Sequence, residues 1–596
     1  MNQFIKSTMW LVLFALVAVL VVGCASPTPA PAPATQAPKP AEPTKAPVVE
    51  PTKAPVAEPT KAPAPTTAPA PATAPAAAPT QPPAAAQPKK GGTLNVGLHQ
   101  EPDLLWGPIT GLTVAQEVGG ILNEPLIKID SKLNYIPTLV EQVPTLQNGG
   151  IAPDGLTVTF KLRKDVKWHD GTPFTAKDVK FTYDMIVNPD VPVRGRVGWD
   201  QIDQVNLPDD YTISFHFKTI DAAFLDRVAI VTMLPQAVLS KVAPKDLTKD
   251  PWFKSNKPGL GPFTFVEWKP GNYITVQRNP NYFVKDQPYL DKVNIKIITD
   301  ANTLTNQLDT GEVDIRFRML SDQVPAVQKI SNVQITSTNS TTPWLIWVNN
   351  KDPRLAEKNV RLALNYGFDR KALTGTVLRG LLQPAYDVIP PSSWGYDDAS
   401  VLKYDYNVAK AKQLLDDAGW KPGADGIREK GGQKLSFDLL NIAGEQERVT
   451  VLSFIQQQWK DIGVNMNLKN VDVATMWGNA LPKGTYDMAY SYSGRYADPA
   501  DITQHYLCPE KKPTTNWGQY CNPALDPILL GAQATMDQAK RADLYKQALK
   551  ITTEDPAYVF VAWRGDHTPI NKRLQGYKPA TGFLEMWNIA EWWVTN

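Results

Sequence analysis

The chain has 596 residues, with 61 basic and 59 acidic side chains and a formal net charge of +2. A nucleic-acid partner would require a concentrated basic face, so this balance argues against one. The length is sufficient for two or three domains of ordinary size.

The N-terminus has the pattern of an export signal. Lys6 precedes an apolar run over residues 9–22, and Gly23 and Cys24 follow it. The run is shorter than the roughly 20 residues of a membrane-spanning helix, so we predict a signal peptide over residues 1–23. The cysteine after the small residue resembles a bacterial lipobox. This predicts lipidation of Cys24 and attachment to the outer face of the cytoplasmic membrane, in a periplasm or at a cell surface. The alternative is an ordinary secretory signal with an incidental Cys24.

A tract rich in Pro, Ala and Thr follows and extends to about residue 90. Within it a Glu-Pro-Thr-Lys-Ala-Pro unit begins at Glu42, Glu50 and Glu58. Proline favours extended backbone, and the tract has no aromatic residue to bury. We therefore predict a disordered tether over residues 24–90; the sequence leaves open whether it is glycosylated.

The rest of the chain mixes strand and helix patterns. Alternating apolar residues predict strands over residues 91–98, 157–163, 211–218, 263–268 and 273–277, the last two forming a hairpin. Thr175 and Asp178 predict the capped start of a helix. Helical spacing is present over residues 360–367, 408–418, 445–461 and 540–552. Strands at 435–440 and 464–468 bracket one of these helices, which predicts a βαβ unit and an α/β fold with β-rich additions.

Cysteines are few. If Cys24 is lipidated, Cys508 and Cys521 form the single remaining pair, and in an exported chain we predict a disulfide between them. The alternative is a metal site that adds His505, but two thiols and one imidazole are an incomplete zinc set.

Several motifs occur in the order typical of one family. Residues 154–181 resemble the signature of the family 5 solute-binding proteins, the extracytoplasmic receptors of ABC importers for dipeptides, oligopeptides, nickel and some oligosaccharides. Further matches lie at residues 259–263, 278–283, 311–314, 360–370, 409–415, 484–488 and 516–520. The resemblance covers about residues 91–570.

The signature contains polar residues that could be mistaken for an acid–base cluster. They are Asp165, His169, Asp170 and Asp178. In the family this stretch resembles a strand, turn and helix of an extra domain, so we expect these side chains to cap and turn the chain.

The resemblance implies a periplasmic-binding-protein-like α/β fold of cluster C type. Two lobes with a hinged cleft carry an extra inserted β-rich domain. Lobe I is expected over residues 91–125, 255–345 and 560–596, the inserted domain over 126–254, and lobe II over 346–559.

The implied function is a monomeric extracytoplasmic receptor. It captures di- or oligopeptides, or a solute of similar size, by lobe closure and delivers them to ABC permease subunits. The alternative is an oligosaccharide or anionic-solute receptor of the same family, with a nickel or haem receptor less favoured. We expect no enzyme, cofactor or metal, because the chain lacks Gly-x-Ser-x-Gly, His-Glu-x-x-His and Gly-x-x-x-x-Gly-Lys motifs. A purely structural surface protein is the remaining rival.

The expected ligand site lies in lobe II. The resemblance implies that in peptide-binding relatives an acidic residue pairs with the ligand's amino terminus. Ungapped matching from Tyr492 to Asp498 places Arg495 at the position of that acidic residue. Arg495 could instead bind a carboxylate or other anion. Alternatively, Asp498 could take over the amine, or Arg495 could bond within the lobe, leaving recognition to backbone groups and to aromatic residues such as Tyr492 and Trp477.

Overall fold

A computed structural model describes residues 87–492, 497–511, 513, 515–580 and 584–595. The predicted signal peptide, Cys24 and nearly all of the tether lie outside the described residues, and so does Arg495. Within these ranges, no helix is both long and apolar enough to cross a membrane.

One eleven-stranded sheet organises the chain. Two long antiparallel strands, Val333–Val348 and Val559–Asn571, lie at its centre, and we call them the crossing strands. A short strand, Gln383–Pro384, pairs with the second of them. On one side of the crossing pair, reading inward from the edge, lie strands Asn465–Val471, Ser436–Ile442 and Met488–Tyr492. On the other side, reading outward to the opposite edge, lie Ile315–Arg316, Thr93–Leu98, Lys292–Ile297, Tyr273–Arg278 and Phe263–Lys269.

The pairing of the crossing strands is interrupted. Asn339 pairs with Gly565, and pairing resumes only at Pro343 opposite Trp563. Three residues, 340–342, therefore stand opposite the single residue Arg564, which makes an irregular bulge. A cavity of about 490 Å³ lies beside this bulge, with Asn339 and Trp563 among its lining residues. The break separates the part of the sheet on the Thr93–Leu98 side from the part on the Ser436–Ile442 side.

Two smaller sheets belong to a separate hydrophobic core that runs in sequence from Trp106 to Leu260. This core is the inserted β-rich domain. Its strands are Thr157–Lys161, Thr212–Phe217 and Ile202–Asp209 in one sheet, and Ile127–Ile129 with Tyr135–Pro137 in the other. Edge-to-face aromatic contacts fill its centre, such as that between Phe217 and Phe224 at 4.7 Å.

The remaining sheets are short. One joins Lys421–Pro422, Arg428–Lys430 and Gln433–Lys434; the other joins Leu574–Gln575 to Trp593–Val594. Helices of eight residues or more are Thr113–Leu122, Ala176–Val187, Ala301–Asp309, Lys358–Tyr366, Val408–Asp417, Gln446–Asp461, Asp526–Gln533 and Gln538–Glu554. Shorter helices include Phe224–Val228, Ile502–Tyr506 and the 3-10 turn Pro499–Asp501.

Most predicted elements are confirmed. Helix Ala176–Val187 begins after Thr175 with a capping box, in which Asp178 accepts the backbone N–H of Thr175 at 2.9 Å. Strands Ser436–Ile442 and Asn465–Val471 are parallel and flank helix Gln446–Asp461, as the βαβ prediction requires. The hairpin of Phe263–Lys269 with Tyr273–Arg278 is also present.

The polar residues of the signature have structural roles. Asp165 pairs with Arg163, and Asp170 accepts the backbone N–H of Thr172. The His169 ring contacts the backbone of residues 259–261, where the chain leaves the inserted domain. The signature and the 259–263 motif are thus two sides of one junction.

Candidate ligand-binding cleft

The site is positioned by the carboxyl ends of parallel strands in both halves of the sheet. Thr93–Leu98 is parallel to Lys292–Ile297 and Ile315–Arg316. Ser436–Ile442 is likewise parallel to Met488–Tyr492 on the other side. Ligands of open α/β sheets bind outside such carboxyl ends, so the residues that follow these strands are the candidates for binding.

Residues following the strands of the two halves face each other. On one side they are His99 and Arg318, and on the other Glu445 and Glu447. The backbone N–H of Ser321 donates to Glu447 Oε2 at 3.1 Å, a direct contact between the two sides. Both halves therefore contribute to one cleft.

His99 is held neutral in this cleft. Burial is the main reason that its pKa falls to about 4; the positive charges of Arg318 and Arg316 add to the effect, and Glu445 opposes it. Its Nδ1 atom is buried and has no hydrogen-bond partner among the described residues. A neutral imidazole can donate or accept a hydrogen bond, so this nitrogen is a candidate to bond a polar ligand when the cleft rearranges around it.

A cluster of aromatic rings, which we call the aromatic wall, lies at the carboxyl end of strand Met488–Tyr492 on the lobe II side, with Trp344 and Tyr490 largely buried. The rings of Trp344 and Tyr490 stack with centroids 5.5 Å apart, and Tyr492 meets Trp344 edge-on at 5.6 Å. Trp477 contacts Tyr492 at 5.2 Å and Trp517 at the same distance. Such rings offer apolar area with little conformational entropy to lose, which suits side chains or sugar faces of a ligand.

Arg448 lies across this wall. Its guanidinium is centred 4.6 Å from the Trp344 ring, and its Nε donates to Glu445 Oε2 at 2.7 Å. Its Nη1 atom is buried and makes no hydrogen bond within the described part of the chain. Leaving such a donor unsatisfied costs about 1–3 kcal/mol, so a ligand acceptor here would gain affinity.

The floor of the cleft comes from the crossing strands and is densely hydrogen-bonded. Arg564 pairs with Asp566 at 2.6 Å, and the His567 ring lies between the hydroxyls of Ser321 at 3.2 Å and Ser337 at 2.9 Å. Burial and the neighbouring Asp566 carboxylate raise the pKa of Glu585, which accepts from Thr568.

The structure places some of the sequence-predicted residues together. Tyr492 and Trp477 are in contact in the aromatic wall. Asp498 instead accepts two hydrogen bonds from Arg541, at 2.5 and 2.9 Å, and caps the Pro499–Asp501 turn through the Ala500 N–H. Arg495 lies outside the described residues.

Sequence reasoning missed His99 and Arg448. The available signal for His99 was its position directly after the predicted strand 91–98, whereas Arg448 lies in the first turn of the predicted helix that follows strand 435–440. Neither belongs to a motif, so only the topology shows that they meet.

The cysteine region is a separate feature. The Cys508 and Cys521 sulfurs are joined at 2.12 Å, and their Cα atoms are 4.4 Å apart. Glu510 is the third member of the one group of metal-ligand types found among the described residues. Sulfurs bonded to each other are not thiolate ligands, and His505 is instead stacked on Trp347.

Two α/β halves joined by crossing strands, with an aromatic and polar cleft between them, define a two-lobed solute-binding protein. Proteins of this class are transport receptors without enzymatic activity. The chain belongs to the bacterial extracellular solute-binding proteins, family 5, whose middle region matches residues 134–513.

Relatives and solved structures agree with this assignment. The chain is 32% identical over 518 residues to the oligopeptide-binding protein AppA of Bacillus subtilis, covering 85% of this chain and 92% of that protein. The structure of AppA from Bacillus subtilis in complex with a nonapeptide is similar with a TM-score of 0.73 and 30% identity, over 86% of this chain and all of that one. NikZ from Campylobacter jejuni in complex with Ni(L-His) has a TM-score of 0.72 and 25% identity, over 84% and 99% of the two chains.

Proposed function

We propose that this protein captures peptides outside the cytoplasm by closing its two lobes and delivers them to the permease subunits of an ABC importer. The observation that carries the proposal is the pairing of an aromatic wall with two buried nitrogen atoms, His99 Nδ1 and Arg448 Nη1, that have no hydrogen-bond partner among the described residues. A peptide presents both the apolar side chains and the main-chain acceptors that such a cleft can bind.

The similarity to AppA supports the peptide class, because that protein is named for oligopeptides and its structure contains a nonapeptide. The second candidate is an anionic or oligosaccharide ligand. It is favoured by Arg316, Arg318 and Arg448 around the cleft, and by Arg495, which ungapped matching places at the amine-binding position that the family resemblance implies.

Thermal unfolding of the full chain in mild detergent tests the ligand class. Separate samples contain a nonapeptide mixture, dipeptides, malto-oligosaccharides, dicarboxylates or nickel chloride. A ligand at 100 times its Kd stabilises the folded state by about 2.7 kcal/mol. We expect the peptide samples to show the largest increase in Tm. An increase confined to dicarboxylates or sugars would replace the peptide assignment with the second candidate.

The N-terminal features complete the proposal. Residues 1–23 act as a signal peptide, Cys24 carries the lipid, and residues up to 90 are a tether that keeps a monomeric receptor near its permease. A Cys24→Ala substitution should release the protein from membrane fractions. Retention of the variant in membranes would contradict lipid anchoring.

We propose that the chain divides into domains at the boundaries predicted from its sequence. Lobe I comprises residues 91–125, 255–345 and 560–596, the inserted domain 126–254, and lobe II 346–559. Three hydrophobic cores fall mainly within these regions and support the division, with exceptions near the boundaries: Trp106, Leu260 and Ala497 in the inserted-domain core, and Trp344, Val561 and Ala562 in the lobe II core. The disulfide between Cys508 and Cys521 is proposed for the exported, oxidised protein.

A further inference from the structure

The inserted domain also touches lobe II, through residues near Ala222 on one side and near Asp498, Gln533 and Arg541 on the other. The backbone N–H of Ala222, in the inserted domain, donates to the Gln533 carbonyl of lobe II at 3.0 Å. Arg541 of lobe II donates back to the Ala222 carbonyl at 3.4 Å. Ala497 of lobe II is also part of the inserted domain's hydrophobic core. We call this contact the latch.

Charges at the latch are unequal in number. Asp221 and Asp226 come from the inserted domain and Asp498 from lobe II. Arg227 pairs with Asp221 at 3.4 Å, and Arg541 pairs with Asp498 at 2.5 Å. Among the described residues, three carboxylates thus share two guanidinium groups, and Asp226 has no ion-pair partner.

Asp226 is enclosed by the contact. Its Oδ1 atom is buried and has no hydrogen-bond partner in the described part of the chain. Around it lie Arg227 and Asp221 on its own segment, Tyr135, and Asp498 and Arg541 across the latch. The Tyr135 hydroxyl and the Asp498 backbone N–H donate hydrogen bonds to Asp226 and, with the Arg227 charge, partly oppose the rise in its pKa that burial and the Asp498 charge cause. A charged carboxylate in this position is both desolvated and repelled by Asp498.

We propose that the latch is a proton-controlled contact that holds the inserted domain against lobe II, with Asp226 protonated in the closed arrangement and its ionisation favouring separation. The proposal adds to lobe closure a dependence on external pH. It deepens the proposed receptor function, since a receptor with this contact would close more readily in acidic surroundings.

The direction follows from linkage. Burial, then the Asp498 charge, raises the pKa of Asp226 from 3.8 to about 7 in the closed arrangement. Separation would return Asp226 to water and to its ordinary pKa. Between pH 3.8 and pH 7 the closed form therefore has Asp226 protonated, while the open form has it ionised. As a result, closure is most favourable below pH 3.8, becomes less favourable as pH rises toward 7, and does not change further above pH 7. Asp221 has its pKa raised mainly by burial and acts in the same direction.

Hydrogen exchange at the Ala222 amide tests the latch without any ligand, because this N–H is bonded across the contact. The full chain is compared at pH 5 and pH 8, with intrinsic exchange rates corrected. We expect protection of Ala222 to fall on the order of 10–100-fold at pH 8, while amides of Phe160 and Leu439, inside the two flanking cores, change less. Equal protection of Ala222 at both pH values would overturn the proposal.

Asp226→Asn provides the second arm, because the amide is isosteric and cannot ionise. Its Ala222 protection should be high at both pH values. The matched control is Asp387→Asn. Asp387 is also buried, with a pKa raised to about 6 mainly by burial, but its hydrogen-bond partners Val388, Ile389 and Thr552 are all in lobe II. This control should keep the wild-type response of Ala222. If Asp226→Asn still loses Ala222 protection at pH 8, as wild type does, the proposal is overturned. Because this exchange measurement uses no ligand, it does not depend on whether the protein binds peptide.

Discussion

His169 and Gly259 form two hydrogen bonds with each other. The His169 backbone N–H donates to the Gly259 carbonyl at 2.9 Å, and the Gly259 N–H donates to His169 Nδ1 at 3.1 Å. Because Nδ1 accepts, the neutral ring carries its proton on Nε2, which contacts the Gly261 carbonyl at 3.1 Å. One imidazole therefore joins the signature turn to the strand that returns to lobe I.

Replacing this ring should destabilise the junction. His169→Ala removes the two hydrogen bonds of the ring, with the Gly259 N–H and with the Gly261 carbonyl, from a largely buried site. We therefore expect the free energy of unfolding to fall by about 2–3 kcal/mol. The matched control is His216→Ala, whose ring pairs with Asp203 at 2.7 Å but is exposed. That pair should contribute less than about 1 kcal/mol. Urea unfolding followed by tryptophan fluorescence measures both, and equal losses would contradict the role of His169.

Acid should weaken the same junction. Burial lowers the pKa of His169 below its ordinary 6.5, so the unfolded chain binds this proton more readily than the folded chain. Stability from His169 is fully present above pH 6.5 and is lost as pH falls from 6.5 through the lowered value. Wild type should lose more stability than His169→Gln between pH 7 and pH 5. An identical pH dependence for both proteins would show that His169 does not titrate as described.

The glycine after this junction has no room for a side chain. A Cβ atom at Gly261 would lie 2.4 Å from the Ile121 carbonyl oxygen, which belongs to a helix backbone and cannot move aside cheaply. Gly261→Ala should therefore destabilise the protein by more than about 2 kcal/mol. The control is Gly375→Ala, where no atom lies within 4 Å and the change should be neutral or stabilising. Similar Tm values for both variants would contradict the packing argument.

The loop between Cys508 and Cys521 gives a redox prediction. A cross-link over a sequence separation of 13 stabilises a protein by about 3 kcal/mol, by restricting the unfolded chain. Reduction with dithiothreitol should lower the Tm of wild type but not of the double variant Cys508→Ala, Cys521→Ala. Thermal unfolding of both proteins with and without reductant measures the difference. Insensitivity of wild type to a reductant that demonstrably frees both thiols would contradict a stabilising disulfide.

Local signals were sufficient for much of this fold. The capped start of helix Ala176–Val187 and the βαβ unit around Gln446–Asp461 depend on neighbouring residues, and both follow from the sequence. Strand Val333–Val348 was not predicted. Its first half is a polar Ser, Thr and Asn stretch without clear alternation, and it is stabilised by pairing with Val559–Asn571, more than 200 residues away.

The site was less predictable for the same reason. Tyr492 and Trp477 could be chosen from a family motif and from composition, whereas His99 and Arg448 become neighbours of the cleft only through strand order. The sequence suggested Asp498 as a partner for the ligand amine, whereas its ion pair with Arg541 depends on a helix that follows later in the chain. Long-range juxtaposition of this kind leaves no local pattern.

Arg448 provides the sharpest test of the cleft. Arg448→Met keeps a long side chain over Trp344 but removes the buried Nη1 donor, so we expect peptide affinity to fall by about 10–100-fold. The matched control is Arg354→Met. Arg354 stacks over Phe437 at 4.5 Å and pairs with Asp352, yet it binds the Ser436 carbonyl at the amino end of its strand, away from the cleft. Calorimetric titration should show wild-type affinity for this control and a loss for Arg448→Met. Unchanged affinity in Arg448→Met would show that peptide binds without the Arg448 guanidinium, and would remove Arg448 from the site.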